Sequence, residues 1–287
     1  MAEVPRIIVR APGAAFTRAL STHPERGLID VARAVRQHAA FVDALRVAGL
    51  SVVELEPDPD LPDAPFVSDT LLAFADAPGP SRAVMPDVPP RCRGARLIVA
   101  TRPGAPSRRG EVGPVLACAT DLRPGARVIE IVEPGTLDAG DVIVYGDRVA
   151  IGVSARTNVC GAGQLALAVQ ELGYRAYLCP VRDRLHLATA VTAIGEGRLI
   201  GTATGFASLD GASRDAAPAG EVERLTVPDA ELPGANVLAL GGRCFIAAGH
   251  PTATRLLRDA GETVVELELG EFVRADGGPT CLVAVVP

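Results

Sequence analysis

Residues 142–152 read Val142-Ile143-Val144-Tyr145-Gly146-Asp147-Arg148-Val149-Ala150-Ile151-Gly152, and this stretch decides the fold class. Two apolar runs flank the dipeptide Gly146-Asp147, and both of its residues favour a tight turn. The stretch therefore predicts a β-hairpin. An Ala- and Leu-rich segment, residues 160–172, follows it and stops at Gly173, which predicts a helix after the hairpin.

The second hairpin strand belongs to a loose repeat in which an apolar strand runs into a small polar or glycine-rich turn. Its five copies begin at Ile7, Leu97, Val149, Leu199 and Cys244. Their spacing is uneven, yet five such units in one chain suggest a repeated supersecondary module. The sequence thus favours an α/β fold built from one repeated unit.

The segments between these units read as helices and loops. Apolar periodicity predicts helices over residues 30–47, 111–119 and 252–260. Residues 75–94, with five prolines, and residues 205–220, rich in Ala, Ser, Asp and Gly, are predicted as loops. Because the strand pattern resumes after each loop, we expect residues 1–287 to form a single domain.

Composition argues against several classes of protein. Hydrophobic residues make up 48% of the 287 residues, which indicates an ordered globular chain. Aromatic residues make up 3% and Trp is absent, which argues against a platform for stacking bases. The net charge of −6 and the lack of a basic cluster argue against nucleic acid as a partner. The opening MAEVPRIIVR and the absence of a long apolar run predict a cytoplasmic protein that does not enter a membrane.

The cysteines show no metal or disulfide pattern. None of the six forms a Cys-x-x-Cys pair, and the four histidines lack the spacing of metal ligands. A single cysteine is most often a small buried hydrophobe. Cys281 differs because it follows the bend Asp276-Gly277-Gly278-Pro279 and precedes a short apolar strand. A loop anchored in this way suits a nucleophile.

Ionisable residues cluster in turns beside the predicted strands. The clusters contain Asp63 and Asp69, Asp138 and Asp141, His186, and Cys281 with Asp276; Arg102 and Arg156 stand at turns of the repeat, and Arg108 and Arg109 are expected at the surface. Each cluster alone is also explained by ordinary turn residues or surface charges. Together they suit an arginine-like ligand, because carboxylates bind its cationic end and fixed arginines bind its carboxylate. A thiolate and a histidine then suit attack on the guanidinium carbon and proton transfer.

These residues lie in motifs that resemble the dimethylarginine dimethylaminohydrolases of the guanidine-modifying, or pentein, superfamily. The likeness runs over almost the whole chain, and the stretch around Arg108-Arg109 and the run Ser154-Ala155-Arg156-Thr157-Asn158 are its most specific parts. The remaining matching runs are residues 30–38, Leu61-Pro62-Asp63, Phe66-Val67, Thr101-Arg102-Pro103-Gly104, Thr136-Leu137-Asp138-Ala139-Gly140-Asp141, Leu185-His186-Leu187, Asp276-Gly277-Gly278 and Thr280-Cys281.

The resemblance implies a fold and a catalytic set. The fold is a five-bladed α/β propeller of pseudo-repeated ββαβ units, which agrees with the five strand-turn units. Cys281 is implied as the nucleophile, His186 as the general acid and base, and Asp138 as the residue that orients His186. No metal or organic cofactor is implied.

The resemblance also implies a substrate pocket. The residues implied to contact or surround the substrate are Phe16, Asp63, Ser68, Asp69, Arg102, Arg156, Ala275 and Asp276. Asp69 is implied to bind the guanidinium, with Asp276 near the same end. Asp63, with main-chain oxygens near Phe16 and Ala275, is implied to bind the α-amino group, while Arg102 and Arg156 bind the α-carboxylate.

The implied reaction converts an Nω-methylated L-arginine to L-citrulline and an alkylamine through a covalent thiouronium on Cys281. Two departures from the family pattern put the preferred Nω-substituent in question: Ser68 stands where the family usually has Glu, and Phe16 where it often has Leu. The open alternatives are an arginine deiminase-like hydrolase, an amidinotransferase, a silent binder of arginine derivatives and a plain globular protein. The oligomeric state stays open, with a homodimer among the alternatives.

Overall fold

In a computed structural model of the chain, residues 5–77, 96–195, 197–211 and 222–287 are described. These residues contain fifteen strands and six α-helices. The strands are β1 (Arg6–Arg10), β2 (Ser51–Leu55), β3 (Leu71–Phe74), β4 (Leu97–Ala100), β5 (Arg127–Glu130), β6 (Val142–Tyr145), β7 (Arg148–Val153), β8 (Arg175–Pro180), β9 (Val191–Ala193), β10 (Arg198–Thr202), β11 (Glu223–Val227), β12 (Leu238–Leu240), β13 (Arg243–Ala247), β14 (Val264–Leu267) and β15 (Ala284–Val286). The helices are α1 (Val31–Val47), α2 (Val112–Leu122), α3 (Val159–Gln170), α4 (Ala203–Asp210), α5 (Pro251–Asp259) and α6 (Gly270–Val273).

The strands form five three-stranded sheets with one shared plan. Their orders are β15-β1-β2, β3-β4-β5, β6-β7-β8, β9-β10-β11 and β12-β13-β14. In every sheet the central strand pairs antiparallel with the first strand and parallel with the last, and a helix connects the parallel pair. The predicted five-bladed α/β propeller of ββαβ units is therefore confirmed. The five strands foreseen from the sequence are the central strands of the five blades.

The hairpin and the C-terminal strand follow their predictions. Strand β6 pairs with β7 in the register Val142↔Ile151, and Gly146 takes a positive φ of 55° in the tight turn between them. The last strand, β15, pairs antiparallel with β1 in the register Ile7↔Val285. The first blade is thus completed by the last residues of the chain, so the ring is closed by backbone hydrogen bonds.

The helix predictions hold to within a few residues, with one exception. Asp30 caps α1, since its carboxylate accepts a hydrogen bond from the Arg33 amide at 3.0 Å. The predicted loop at residues 205–220 is wrong in its first part, which belongs to α4. Thr202 caps that helix through the Gly205 amide at 3.1 Å, and Phe206 lies buried on its inner face. The predicted loop at residues 75–94 lies outside the described residues from residue 78 onward, as does the remainder of 205–220 from residue 212.

The core lies between the blades and their helices. Four fully buried aromatic rings, Phe16, Phe41, Phe245 and Phe272, fill the space around the first and fifth blades. Burial of each such side chain contributes roughly 1.5–3 kcal/mol. Among the described helices, none has the length and hydropathy needed to cross a membrane.

An axial cavity runs between the inner strands of the blades, which are β3, β6, β9, β12 and β15. Its volume is about 310 Å³, and each inner strand contributes to its wall. The side chains from these strands are small or apolar, as Leu72, Ile143, Ala193, Ala239 and Val285 illustrate. The axis of the propeller is therefore apolar along the strands themselves.

Candidate active site

A pocket lies beside the short turns that precede the inner strands. Its cavity volume is about 20 Å³, room for about one water molecule. It is lined by Leu20, Asp63, Phe66, Asp69, Arg108, Arg156, Leu185, His186, Ala275, Asp276, Gly277 and Cys281. An arginine-sized ligand requires movement of the residues around this pocket, and Leu20, at 40% exposure, is the most solvent-exposed residue of its wall.

Each blade contributes one polar residue to this end of the axis, within or beside the turn that precedes its inner strand. These residues are Asp69 before β3, Asp138 before β6, His186 before β9, Asn236 before β12 and Cys281 before β15. The turns are short 3₁₀ segments: Val67–Thr70, Ala139–Asp141, Leu187–Thr189, Asp229–Ala235 and Pro279–Leu282. The repeat therefore brings together residues that are far apart in sequence.

His186 and Asp138 form a buried pair. The Nε2 atom of His186 lies 3.1 Å from Asp138 Oδ2, and the other carboxylate oxygen of Asp138 accepts a hydrogen bond from the Gly104 amide at 2.8 Å. Gly140 packs against the ring, since a Cβ there would lie 2.7 Å from His186 Nδ1 and 2.9 Å from Asp69 Oδ1. A side chain at position 140 would displace the imidazole, so glycine is required there for steric reasons.

The charge state of His186 is set by its neighbours. Burial alone would lower the pKa of the imidazole, but the carboxylates of Asp69, Asp138 and Asp141 raise this pKa to about 9. Asp141 is itself buried, which raises its own pKa, and it accepts a hydrogen bond from the Leu187 amide at 3.0 Å. His186 is therefore protonated at neutral pH, as a proton donor to a leaving group must be.

Cys281 lies in the turn Pro279–Leu282 and is partly exposed. Burial raises the pKa of its thiol and the carboxylate of Asp69 raises it further, while hydrogen bonds involving Gly278, Thr280 and Asn236 lower it. The balance keeps the pKa of the thiol above its usual value. The pocket without substrate therefore holds a neutral thiol beside a protonated imidazole.

Asp69 is paired with an arginine that the sequence analysis placed at the surface. Arg108 is 4% exposed, and its Nη1 lies 2.6 Å from Asp69 Oδ2. Its Nη2 lies 2.8 Å from Glu111 Oε2. Burial alone would raise the pKa of Asp69, but Arg108 and His186 hold it below its usual value. Burial raises the pKa of Glu111 to about 7, although Arg108 opposes that shift. The surface assignment of Arg108 was wrong, whereas Arg109 is exposed as expected.

Arg102 and Arg156 take different positions. Arg102 does not line the pocket, because its guanidinium forms an ion pair with Glu133 and donates to the Gly135 carbonyl oxygen at 3.1 Å. Arg156 does line it, and within the described parts of the chain its buried Nη1 has no hydrogen-bond partner. Of the two arginines implied to bind the α-carboxylate, only Arg156 lines the pocket, and the other arginine in its wall is Arg108.

Asp63 and Asp276 hold a loop against the pocket. Asp63 accepts a hydrogen bond from the Leu20 amide at 3.0 Å, and burial raises its pKa although Arg108 opposes the shift. Asp276 accepts a hydrogen bond from the Thr22 hydroxyl at 2.9 Å and has a positive φ of 57°, a region that Asp tolerates better than most residues. Both carboxylates therefore secure residues 20–22 as well as facing the pocket.

Phe16 and Ser68 lie outside the pocket. Phe16 is fully buried in the core, with ring-centroid distances of 5.3 Å to Phe272 and 6.0 Å to Phe66. Ser68 lines the axial cavity, on the opposite side of its turn from Asp69. The resemblance assigned both residues to the substrate pocket, and neither lines it. Ala275 does line the pocket.

Asp69, Asp138 and His186 also form the one group of three potential metal ligands found among the described residues. Their ligand atoms lie within 4.8 Å of one another. Hydrogen bonds already use them, since Asp69 is paired with Arg108 and Gly140 while Asp138 binds His186. These contacts suit proton transfer and cation binding, and a metal ion would have to displace them.

Two residues of this site, Arg108 and Asn236, were not predicted from the sequence. The signal for Asn236 was its position, since it precedes an inner strand as Asp69 and Cys281 do. For Arg108 the signal was the specific run around Arg108-Arg109, which supports the family resemblance but does not by itself place the Arg108 side chain in the site.

Comparison with known proteins gives a consistent result. No family model matches the chain. The N(G),N(G)-dimethylarginine dimethylaminohydrolase of Streptomyces coelicolor is 36% identical over 281 residues, covering 96% of this chain and 95% of that protein. The protein of the same name from Pseudomonas aeruginosa is 30% identical over 276 residues, covering 96% of this chain and 97% of that protein. A solved Pseudomonas aeruginosa structure, a cysteine-to-serine mutant complexed with citrulline, superposes with a TM-score of 0.83 at 27% identity and covers 98% of this chain and 99% of that chain.

Proposed function

The chain belongs to the dimethylarginine dimethylaminohydrolase family, and from this premise we propose that it hydrolyses Nω-methylated L-arginine to L-citrulline and an alkylamine. The observation that carries the proposal is the convergence of Cys281, the His186–Asp138 pair and Asp69 on one small pocket. We further propose that residues 1–287 act as one domain. In support, all five blades contribute to this end of the axis and β15 closes the first blade.

Charge supports a cationic substrate with a carboxylate at its other end. The carboxylates of Asp63, Asp69 and Asp276 line the pocket, and Arg156 presents a nitrogen that lacks a partner among the described residues. In this proposal Asp69, which is held by Arg108, binds the guanidinium, and Arg156 binds the α-carboxylate. Asp63 binds the α-amino group once the Leu20 amide releases it, and this requires residues 20–22 to move.

The first half of the reaction uses the thiol and the protonated imidazole. Substrate binding places a cation beside Cys281, which favours the thiolate, and the thiol proton passes to solvent because His186 is already protonated. The sulfur attacks the guanidinium carbon and forms the C–S bond. The C–N bond to the alkylamine then breaks as His186 gives its proton to the departing nitrogen, leaving a thiouronium on Cys281.

The second half of the reaction uses the neutral imidazole as a base. His186 takes a proton from water, and the oxygen attacks the thiouronium carbon. As the C–S bond breaks, the remaining hydroxyl proton of the tetrahedral intermediate passes to solvent, and citrulline and the Cys281 thiolate are released. Asp138 stabilises the imidazolium in both halves through its contact with Nε2.

The test is a citrulline assay with asymmetric dimethylarginine, monomethylarginine and arginine in parallel. The proposal expects citrulline and an equal amount of alkylamine from a methylated substrate. Citrulline mainly from arginine would instead assign the deiminase reaction. Citrulline from none of the three would refute the proposal and leave a silent binder of arginine derivatives.

A further inference from the structure

Asn236 is the polar residue that the fourth blade contributes at the turn before its inner strand. It is 7% exposed, and its Nδ2 lies 3.8 Å from the Sγ of Cys281, within hydrogen-bond range for sulfur. The equivalent places in the other blades hold the four residues to which the proposed function gives catalytic or guanidinium-binding roles. Asn236 thus shares both the position and the surroundings of that set.

The orientation of the Asn236 carboxamide is fixed by its other contacts. Its Oδ1 accepts two hydrogen bonds at 3.0 Å, one from the Thr280 amide and one from the Thr280 hydroxyl. A flipped amide would point Nδ2 at the Thr280 amide donor, so only one orientation satisfies the network. Nδ2 therefore faces the sulfur, while the Thr280 hydroxyl lies 3.0 Å from Asn236 Oδ1 and 3.9 Å from the Sγ of Cys281.

The backbone around Asn236 is held on both sides. Thr192 donates to the Ala235 carbonyl oxygen at 2.7 Å and accepts from the Val237 amide at 3.2 Å. Gly278 packs directly against the carboxamide, since a Cβ there would lie 2.6 Å from its Cγ and Oδ1. The donor is thus positioned in advance, and no rearrangement is needed for it to reach the sulfur.

We propose that Asn236 is a catalytic residue whose Nδ2–H donates a hydrogen bond to the sulfur of Cys281 and stabilises its thiolate. The inference rests on the proposed function in taking Cys281 as the nucleophile. On ionisation the thiol proton leaves to solvent and the negative sulfur becomes the better acceptor, so the hydrogen bond strengthens. The charged groups that face the sulfur across the pocket are Asp63, Asp69, Arg108, Arg156, His186 and Asp276.

The test measures alkylation of Cys281 by iodoacetamide between pH 6 and 10.5, read as peptide masses so that the exposed Cys160 serves as an internal reference. Asn236→Asp keeps the oxygen that anchors Thr280 but replaces the donor with an acceptor. Asn236→Ala removes the donor without adding charge. Asn158→Ala is the matched control, because Asn158 also accepts two backbone amides, from Thr136 and Gly161, and donates through Nδ2, to the Pro134 carbonyl oxygen.

We expect the midpoint of the Cys281 pH profile to rise in both Asn236 variants, while the rate at the alkaline plateau is retained. In Asn236→Asp we expect the pKa of the Cys281 thiol to rise by about one unit, which lowers the alkylation rate at pH 7 about tenfold. In Asn236→Ala we expect the alkylation rate at pH 7 to fall about threefold. The Cys281 profile should not change in Asn158→Ala, and the Cys160 reference should not change in the two Asn236 variants. The inference would be overturned if the midpoint of the Cys281 pH profile did not change in either folded variant. It would also be overturned if only the alkylation rate at the alkaline plateau fell.

This experiment is independent of turnover. If the parent protein makes no citrulline, the proposed function fails, but the alkylation profile still reports on Asn236. If citrulline forms and the midpoint does not move, only the inference about Asn236 fails. Thermal melting of each variant checks that it is folded before its profile is read.

Discussion

The two cavities on the propeller axis differ in chemistry although neighbouring residues of the same turns line them. The pocket is small and lined by charged groups, whereas the axial cavity is larger, at about 310 Å³, and has an uncharged lining among the described residues. Asp69 faces the first and Ser68 the second; Cys281 faces the first and Thr280 the second. One layer of turns therefore separates a reactive end of the axis from an apolar interior.

This contrast explains how a repeated unit can carry one active site. The inner strands supply uncharged walls to the axis, and a position two to five residues before each strand carries a polar side chain. Five such residues, drawn from distant parts of the sequence, then meet without any long functional loop. If this layer of turns separates the two cavities, substitutions on its two sides should differ in their effect on catalysis.

The largest effect is expected at the sulfur. Cys281→Ser should lower citrulline formation by about 10⁴-fold or more, because the hydroxyl is a far weaker nucleophile at neutral pH. Binding of the substrate, followed by calorimetry, should persist. Cys160→Ser, at an exposed position on α3, is the control and should match the parent protein. Substantial turnover by Cys281→Ser would exclude this residue as the nucleophile.

The next effect compares two adjacent residues that face different cavities. Asp69→Asn should reduce kcat/KM for a methylated arginine by roughly 10²–10³-fold, because the guanidinium loses a charged partner. Ser68→Asn, at the neighbouring position, should stay within about twofold, because Ser68 lines the axial cavity. The measurement is steady-state kinetics of both variants with the same substrate. Equal losses in the two variants would mean that the layer of turns does not separate the cavities.

The third effect concerns pH. Because the pKa of His186 is raised to about 9, the imidazole is protonated below that value and the donor is lost as the pH rises through it. In Asp138→Asn this pKa should fall, so the alkaline limb of kcat should move to lower pH and kcat should drop by about 10²-fold. Asp210→Asn, which breaks a surface ion pair with Arg224, is the control. If the alkaline limb of kcat stays at the same pH in Asp138→Asn, that limb does not report the ionisation of His186.

The smallest effect is expected from a substitution in the axial cavity. Ala239 lines the axial cavity on strand β12, and Ala239→Val fills part of the space with a residue that favours strands. We expect a gain of about 0.5–1 kcal/mol in the free energy of unfolding, with kcat/KM unchanged. Urea unfolding and the citrulline assay measure the two quantities. A tenfold loss of activity without loss of stability would show that this cavity takes part in catalysis.

Much of the fold could be predicted from the sequence because many of its elements are determined by neighbouring residues. The Gly146-Asp147 turn, the helix stop at Gly173 and the five apolar strands each depend on a few adjacent residues. Helix α4 escaped prediction because its composition resembles that of a loop, and its cap, Thr202, lies in the stretch predicted as a strand and turn. The apolar contacts of its buried face overrode that composition.

The site was predicted only in part because side-chain direction in a turn has no simple period. A strand alternates faces with every residue, but the 3₁₀ turns before the inner strands do not, so Ser68 could not be assigned to a cavity. Arg102 forms a β-bridge with Leu137 and turns toward Glu133, whereas Arg108 turns inward from the following 3₁₀ segment. Such choices depend on long-range contacts that the sequence pattern does not contain.

The most direct test of the central claim is to trap the covalent intermediate. The protein is mixed with asymmetric dimethylarginine, quenched in acid within the first turnover, and examined by intact-protein and peptide mass spectrometry. We predict a mass gain equal to the substrate minus dimethylamine, located on the peptide that contains Cys281 and absent from Cys281→Ser. Citrulline formation without any such adduct, or an adduct on another cysteine, would contradict the account.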